Sequence, residues 1–302
     1  MQMNRHKQGL ALAEKAMFCC ALWGVSTPMV KIGYRYLDAS HIPSLILWLG
    51  MEFVLAGLFS IGFGSAAEKK ILMPNRKSIT AVLVLALLQT VLQYICIYVG
   101  LSNTTSVKGS ILKSTDVFFV MLITSLLFKQ EKLTWVKAVS CLLGFSGIVL
   151  INLNGLSLDF HFSGDGILLL GIIFYSFSEV FTKPFAKKES PLTLCAYQMT
   201  LGGFILLLIG LSFGGRMDVR HALPLILGLG LIYAVSYSLW TCLLKEYPVS
   251  RVTVFSFTLP IFGVAFSALL LKEKSGIPIV NLLLSLFLVS GGIFLWSRCK
   301  TE

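Results

Sequence analysis

Ser125–Lys132 reads SLLFKQEK, and Ser267–Lys274 reads SALLLKEK. The first opens onto an apolar run ending in Ser146-Gly147-Ile148, the second onto one ending in Ser290-Gly291-Gly292-Ile293. Glu131 and Glu273 are 142 residues apart, and Ser146 and Ser290 are 144 apart. A repeat of that period in so apolar a chain predicts a membrane protein assembled from two copies of one unit. If each copy holds an odd number of spans, the second copy lies upside down relative to the first.

The apolar setting follows from composition. Hydrophobic residues make up 56% of the chain and charged residues 13%, with a mean hydropathy of +0.84. A soluble domain is about one quarter charged, so these residues must be read against a bilayer. A helix needs roughly 20 mainly apolar residues to cross it. Ten stretches meet that length: about 13–36, 41–64, 78–100, 105–128, 133–151, 165–185, 191–213, 221–244, 249–271 and 276–297. The gaps between them leave no room for a folded soluble domain, and the strand-like alternation of a membrane barrel is absent. The expected fold is an all-α membrane protein of ten transmembrane helices in two inverted five-helix repeats, residues 1–152 and 153–302.

The first apolar stretch follows Arg5, Lys7 and Lys15 in the manner of a signal peptide. Trp23, Pro28 and Lys31 suit such a segment poorly, and no small-x-small cleavage site follows, so it is expected to stay as a helix. Cysteines 19, 20, 96, 141, 195, 242 and 299 lie within or beside the spans without metal-ligand spacing, and read as small buried apolar residues.

A net charge of +11 could point to nucleic acid, but the placement of the charges argues for a topology signal instead. With a cytoplasmic N-terminus, 17 of the 25 Lys and Arg residues fall on the inner side and seven on the outer, with Lys113 inside a span. That bias follows the positive-inside rule and places both termini in the cytoplasm. Glu131 then falls on the inner side and Glu273 on the outer, the arrangement expected of inverted repeats. The joint at 152–165 carries no Lys or Arg, as suits an outer loop.

Ala21-Leu22-Trp23-Gly24-Val25-Ser26-Thr27-Pro28 followed by Lys31 resembles the first helix of the EamA family in the drug/metabolite transporter superfamily. The acidic turn Phe128–Lys132 and the glycine-bearing end of the fifth span match too. In the second half Phe257-Thr258-Leu259-Pro260-Ile261-Phe262 and Leu271-Lys272-Glu273-Lys274 resemble the ninth-helix pattern. The likeness covers nearly the whole chain. It implies a ten-helix carrier of exporter type with a central substrate cavity, for amino acids or other small metabolites. One departure stands in the second helix, where the family commonly carries an arginine before F-x-x-A-G-L and this chain has Glu52 before Phe53-Val54-Leu55-Ala56-Gly57-Leu58. The first-half counterpart of Pro260 is also missing, since Asp116-Val117 occupies that region.

Charges near the bilayer centre cost at least about 2.5–3.5 kcal/mol each on insertion scales, so each needs a reason. Glu52, Lys113, Asp116 and Glu179 are the deep ones. Lys113 and Asp116 are three residues apart, on one face of a regular helix and able to pair. The pair reads either as a self-neutralised packing element or as a polar wall of a substrate cavity. Glu179 either pairs with Lys183 one turn on or takes up and releases a proton during transport. Glu52 either meets a basic residue of another span, with Lys113 the obvious choice, or does the same work. Glu52, Asp116 and Glu179 are therefore the proton-coupling candidates.

Tyr233, Tyr237 and Trp240 recur at i, i+4 and i+7 on one helix face, an arrangement that serves packing more often than binding. Mid-helix hydroxyls nevertheless need partners in lipid, which favours an inward face. With Trp23, Tyr94 or Tyr98, and Tyr175, they make a candidate cavity lining for an aromatic or cationic solute. Gln89 and Gln93, one turn apart, are further candidates, and Gln198 aligns with Glu52 at an offset of 146. Pro28 and Pro260 are each expected to interrupt a helix, where carriers place substrate.

The four histidines, 6, 41, 161 and 221, are scattered, and zincin, Walker and glycine-rich phosphate-loop patterns are absent. The expectation is no enzyme, no cofactor and no metal, but a carrier run by a gradient. Its partners are a small-molecule solute and the lipid bilayer, not nucleic acid, and homodimer formation is left open. The rivals are an organic-anion or phosphate-ester carrier using Lys113, Lys108 and Arg251, and a membrane-embedded lipid-handling protein.

Overall fold

The computed structural model of the chain describes residues 2–38, 40–104, 109, 112–151, 153, 159–271 and 278–298. Ten apolar helical stretches follow one another in it: α1 (Gly9–Tyr36), α2 (Ile42–Glu68), α3 (Arg76–Gly100), α4 (Asp116–Leu127), α5 (Trp135–Leu150), α6 (Phe162–Ala186), α7 (Pro191–Ser212), α8 (Val219–Glu246), α9 (Val249–Ser267) and α10 (Val280–Trp296). Seven of them are long and apolar enough to cross a membrane, while α4, α5 and α10 are shorter. Among the described residues the one extended contact is an isolated antiparallel bridge between Leu37 and Met217.

The helix ends follow local chemistry. Pro43 and Pro191 open α2 and α7, where a missing N–H is harmless. The Asp218 carboxylate accepts the His221 N–H at the start of α8. Lys69, in the left-handed region at φ 53°, ends α2 with its N–H on the Ala66 carbonyl.

The packing repeats itself. Helix α2 lies against α7, and α5 against α10. Helix α1 packs on α8 and α9, as α6 packs on α3 and α4; α8 meets α2 as α3 meets α7. Moving each helix five places along the chain maps these main contacts onto one another, so the principal packing scheme is used twice within a single core.

The α2–α7 seam owes its closeness to glycine. A Cβ placed on Gly50 or Gly57 would collide with Leu207 or Thr200, and one on Gly203 or Gly210 with the backbone of Val54 or Leu47. Each helix thus offers two glycines seven residues apart, two full turns, to the backbone of the other.

Three of the departures from regular α-helix fall at candidate residues. Ala86–Leu92 of α3 is π-helical, and Gln89, Thr90 and the following Gln93 are all buried there. Helix α9 is interrupted by the 3-10 turn Val254–Thr258 just before Pro260, whose ring cannot continue the preceding α-helical ladder. The expectation for Pro28 is not met, because α1 runs through it unbroken. The third departure lies between Lys113 and Asp116, where Ser114 and Thr115 form a turn and α4 starts afresh at Asp116.

Candidate functional site

Glu52, Asp116 and Glu179 are 0%, 5% and 0% exposed, and none forms an ion pair among the described residues. Each meets its neighbours differently. On α6 the Glu179 carboxylate accepts the Trp240 indole N–H from α8 at 2.6 Å and the Thr253 hydroxyl from α9 at 3.0 Å. The Tyr175 hydroxyl, one turn back on the same helix, joins them. Pairing of Glu179 with Lys183 does not occur, since the Lys183 ammonium donates to the Tyr247 carbonyl. Three donors from three helices therefore fill this carboxylate.

Asp116 accepts the N–H of Val117 at 2.6 Å, with the Ser256 hydroxyl of the 3-10 turn as a second donor. Lys113 and Asp116 form no ion pair, and the residues between them, Ser114 and Thr115, form a turn where a regular helix was expected. Lys113 pairs with Glu52 no more than with Asp116 among the described residues. Glu52 instead accepts the indole N–H of Trp48, one turn earlier on α2. Its other oxygen, Oε2, is buried and has no hydrogen-bond partner among the described residues.

The aromatic candidates come together around these acids. Trp23 of α1 sits 5.1 Å from Tyr237 and 5.0 Å from Trp240, ring centroid to centroid. Phe53 stacks on Tyr233 at 5.4 Å and meets the edge of Tyr94 at 4.6 Å. The hydroxyls of Tyr94 and Tyr237 are 2.8 Å apart, joining α3 to α8. These rings pack face and edge upon one another, with Tyr233, Tyr237 and Trp240 buried and Tyr94, Tyr98 and Tyr175 only partly so. Gln89 is buried, the Gln93 Oε1 is buried without a partner among the described residues, and the Thr90 hydroxyl donates to Gln198 at 2.8 Å.

Sequence reasoning missed Trp48, Phe53, Thr90, Thr253 and Ser256. Trp48 stands four residues before Glu52, a helical spacing that could have marked it. Thr253 and Ser256 carried no such signal, since their roles depend on where α9 lies against α6 and α4.

The repeated acidic turn has a structural task. Glu131 pairs with Lys137 at 2.9 Å and accepts the N–H and hydroxyl of Ser250 at the start of α9. The Lys137 ammonium also lies 5.7 Å from the Trp296 ring centre. One carboxylate thus ties α5, α9 and α10 at one end of the bundle. Glu273 and Lys274 of the second copy, and Lys108 of the anion reading, lie outside the described residues.

A cavity of about 610 Å³ opens away from this cluster, lined by Asp38, His41, Ser44, Phe213, Arg216 and Met217. Beside it, hydrogen bonds from His221 hold the exposed Asp218 carboxyl below its ordinary range, and the Ser40 hydroxyl does so for Asp38.

Apolar helices packed around a buried polar cluster, with one packing scheme used twice, define a multi-pass membrane protein. The profile of the EamA-like transporter family matches the chain twice, over residues 11–153 and 162–298. The chain belongs to that family and is a membrane transporter. It is 26% identical over 281 residues to the "uncharacterized transporter YvbV" of Bacillus subtilis, covering 90% of this chain and 86% of that one. An uncharacterized transporter of Methanothermobacter thermautotrophicus is 27% identical over 216 residues, 67% of this chain and 61% of the relative's length. One solved crystal structure superposes at a TM-score of 0.75 over 95% of this chain and 96% of its own, with 14% identity, a likeness of fold alone.

Proposed function

We propose that this chain is a secondary active carrier that exports a small metabolite or amino acid across the cytoplasmic membrane by alternating access. In this reading all ten helices span, the two halves are inverted about residues 152–165, and both termini are cytoplasmic. The lysine and arginine distribution supports that orientation. The recurrence of the main packing pairs under a five-helix shift supports two equivalent halves, the arrangement that lets one structure open to either side.

One observation carries the reading. Three buried carboxyls without ion pairs gather with Trp23, Tyr94, Tyr175, Tyr237 and Trp240, on helices drawn from both halves. Buried ionisable groups in a membrane core are costly and mark solute or proton pathways. Glu52, Asp116 and Glu179 are the groups through which a proton gradient would act. The organic-anion reading is disfavoured by the same cluster. Of the basic residues that reading names, Lys113 forms no ion pair among the described residues. Lys137, buried against Glu131, is already engaged.

The test is uptake into proteoliposomes from a metabolite mixture, read by mass spectrometry with and without a pH gradient. Accumulation of amines or amino acids that grows with the gradient supports the proposal. Preference for phosphate esters, or lipid turnover without solute flux, would sink it.

A further inference from the structure

The three buried carboxyls are not equivalent. Glu179 receives hydrogen bonds on both oxygens, from Trp240 and from Thr253. Asp116 is held by the N–H of its neighbour Val117 and by the Ser256 hydroxyl. Glu52 alone keeps a buried oxygen with no partner among the described residues, although the side chain is 0% exposed. Such an acceptor in a low-dielectric site loses free energy until a donor reaches it.

Its surroundings are aromatic. Tyr34 at the end of α1, Tyr94 and Tyr98 on α3, and Tyr233 on α8 all lie within electrostatic reach of Glu52. Phe53 bridges two of them, at 4.6 Å from Tyr94 and 5.4 Å from Tyr233. Tyr94 and Tyr98 are 6.4 Å apart, so both offer rings to one region. Trp48 already holds the other Glu52 oxygen, which fixes the direction of the carboxyl. No basic side chain of the described residues pairs with Glu52. An unfilled buried carboxylate oxygen in a region this rich in aromatic rings is a site for an organic cation that carries an N–H.

We infer that Glu52, framed by the tyrosines of α1, α3 and α8, is the point at which the protein holds the ammonium group of its solute. The solute class is an organic amine, its N–H⁺ donated to the free Glu52 oxygen and its apolar part set among the rings. The inference rests on the carrier reading above and narrows its substrate. It also divides the acids: Glu52 receives the solute, while Glu179 and Asp116, already filled by hydrogen bonds from neighbouring residues, are left to the proton.

Thermal stability of the purified full-length protein tests this with three probes of one shape. These are phenethylamine, cationic at pH 7, neutral 2-phenylethanol and anionic 3-phenylpropanoate. A ligand that binds only the folded protein raises its melting temperature in a concentration-dependent way. The expected result is stabilisation by phenethylamine alone, with Glu52→Gln weakening the apparent affinity about tenfold or more and Glu52→Asp retaining part of it. Glutamine still accepts from Trp48, so the variant keeps that bond. Should it fail to fold, the ranking of the three probes on the wild type still decides. Equal stabilisation by phenethylamine and 2-phenylethanol, tighter binding of 3-phenylpropanoate, or unchanged phenethylamine affinity in Glu52→Gln would overturn the inference. Because binding is read without flux, a protein that transports only anionic or neutral solutes in liposomes leaves the carrier standing and removes the amine site. Cation binding without any flux does the reverse.

Discussion

The hydroxyl of Tyr94 on α3 lies 2.8 Å from that of Tyr237 on α8, a hydrogen bond between the first half of the chain and the second across 143 positions. It stands between the two carboxyl sites, Tyr94 within reach of Glu52 and Tyr237 within reach of Glu179.

This bond should behave as a pair. Tyr94→Phe or Tyr237→Phe leaves the other hydroxyl without its partner, at an expected cost of about 1 kcal/mol. The double phenylalanine variant removes both groups and should be no less stable than either single one. Melting temperatures of the four proteins check this, and additive losses would show that the two hydroxyls do not act together.

Proton coupling is tested at the acids. Glu52→Gln, Asp116→Asn and Glu179→Gln each remove a titrating group while keeping its size. At least one should transport solute in proteoliposomes at a rate that no longer responds to a pH gradient. Should all three amides keep full gradient-driven flux, these carboxyls do not carry protons.

The α2–α7 seam gives a packing prediction. Gly57→Ala places a methyl against Thr200 and should destabilise by about 1–3 kcal/mol. Gly62→Ala on the same helix meets nothing within 4 Å and should be neutral or slightly stabilising. Thermal unfolding in detergent compares them directly, and equal stability of the two variants would contradict the close approach.

Glu131 and Lys137 form a pair whose side chains are 10% and 7% exposed. Glu131→Gln strands the lysine in that setting and should cost about 3–5 kcal/mol. Adding Lys137→Met removes the stranded charge and should recover most of the loss, read again by melting temperature. A double variant as unstable as the single one would mean that the Ser250 contacts, not the ion pair, carry the effect.

Much of the fold was legible in the chain because hydropathy is a local property. The stretches marked by composition are where the helices lie, including the shorter α4, α5 and α10. The departures came where one residue acts against the helical period. Lys113 and Asp116 are on one face only if the helix between them is regular, and the turn at 114–115 breaks it. Pro28 was expected to break α1 and does not, whereas Pro260 follows a 3-10 turn. Proline removes one hydrogen bond in either place, and the packing around it decides whether the helix bends or reorganises.

By itself the sequence determined that this is a membrane protein of two related halves, and it singled out Glu52, Asp116 and Glu179, all of them buried, though not the buried Asp165. Charge and apolar length are additive along the chain, and a repeat is visible to simple comparison. Only the tertiary structure decided what each acid meets. Glu179 takes its donors from residues 61 and 74 positions away, while Glu52 finds Trp48 on its own helix and keeps one oxygen free. A helix that is apolar on nearly every side does not declare which way it faces. Its rotation is set by the glycine seams and aromatic contacts of its neighbours, and those exist only once both halves have packed together.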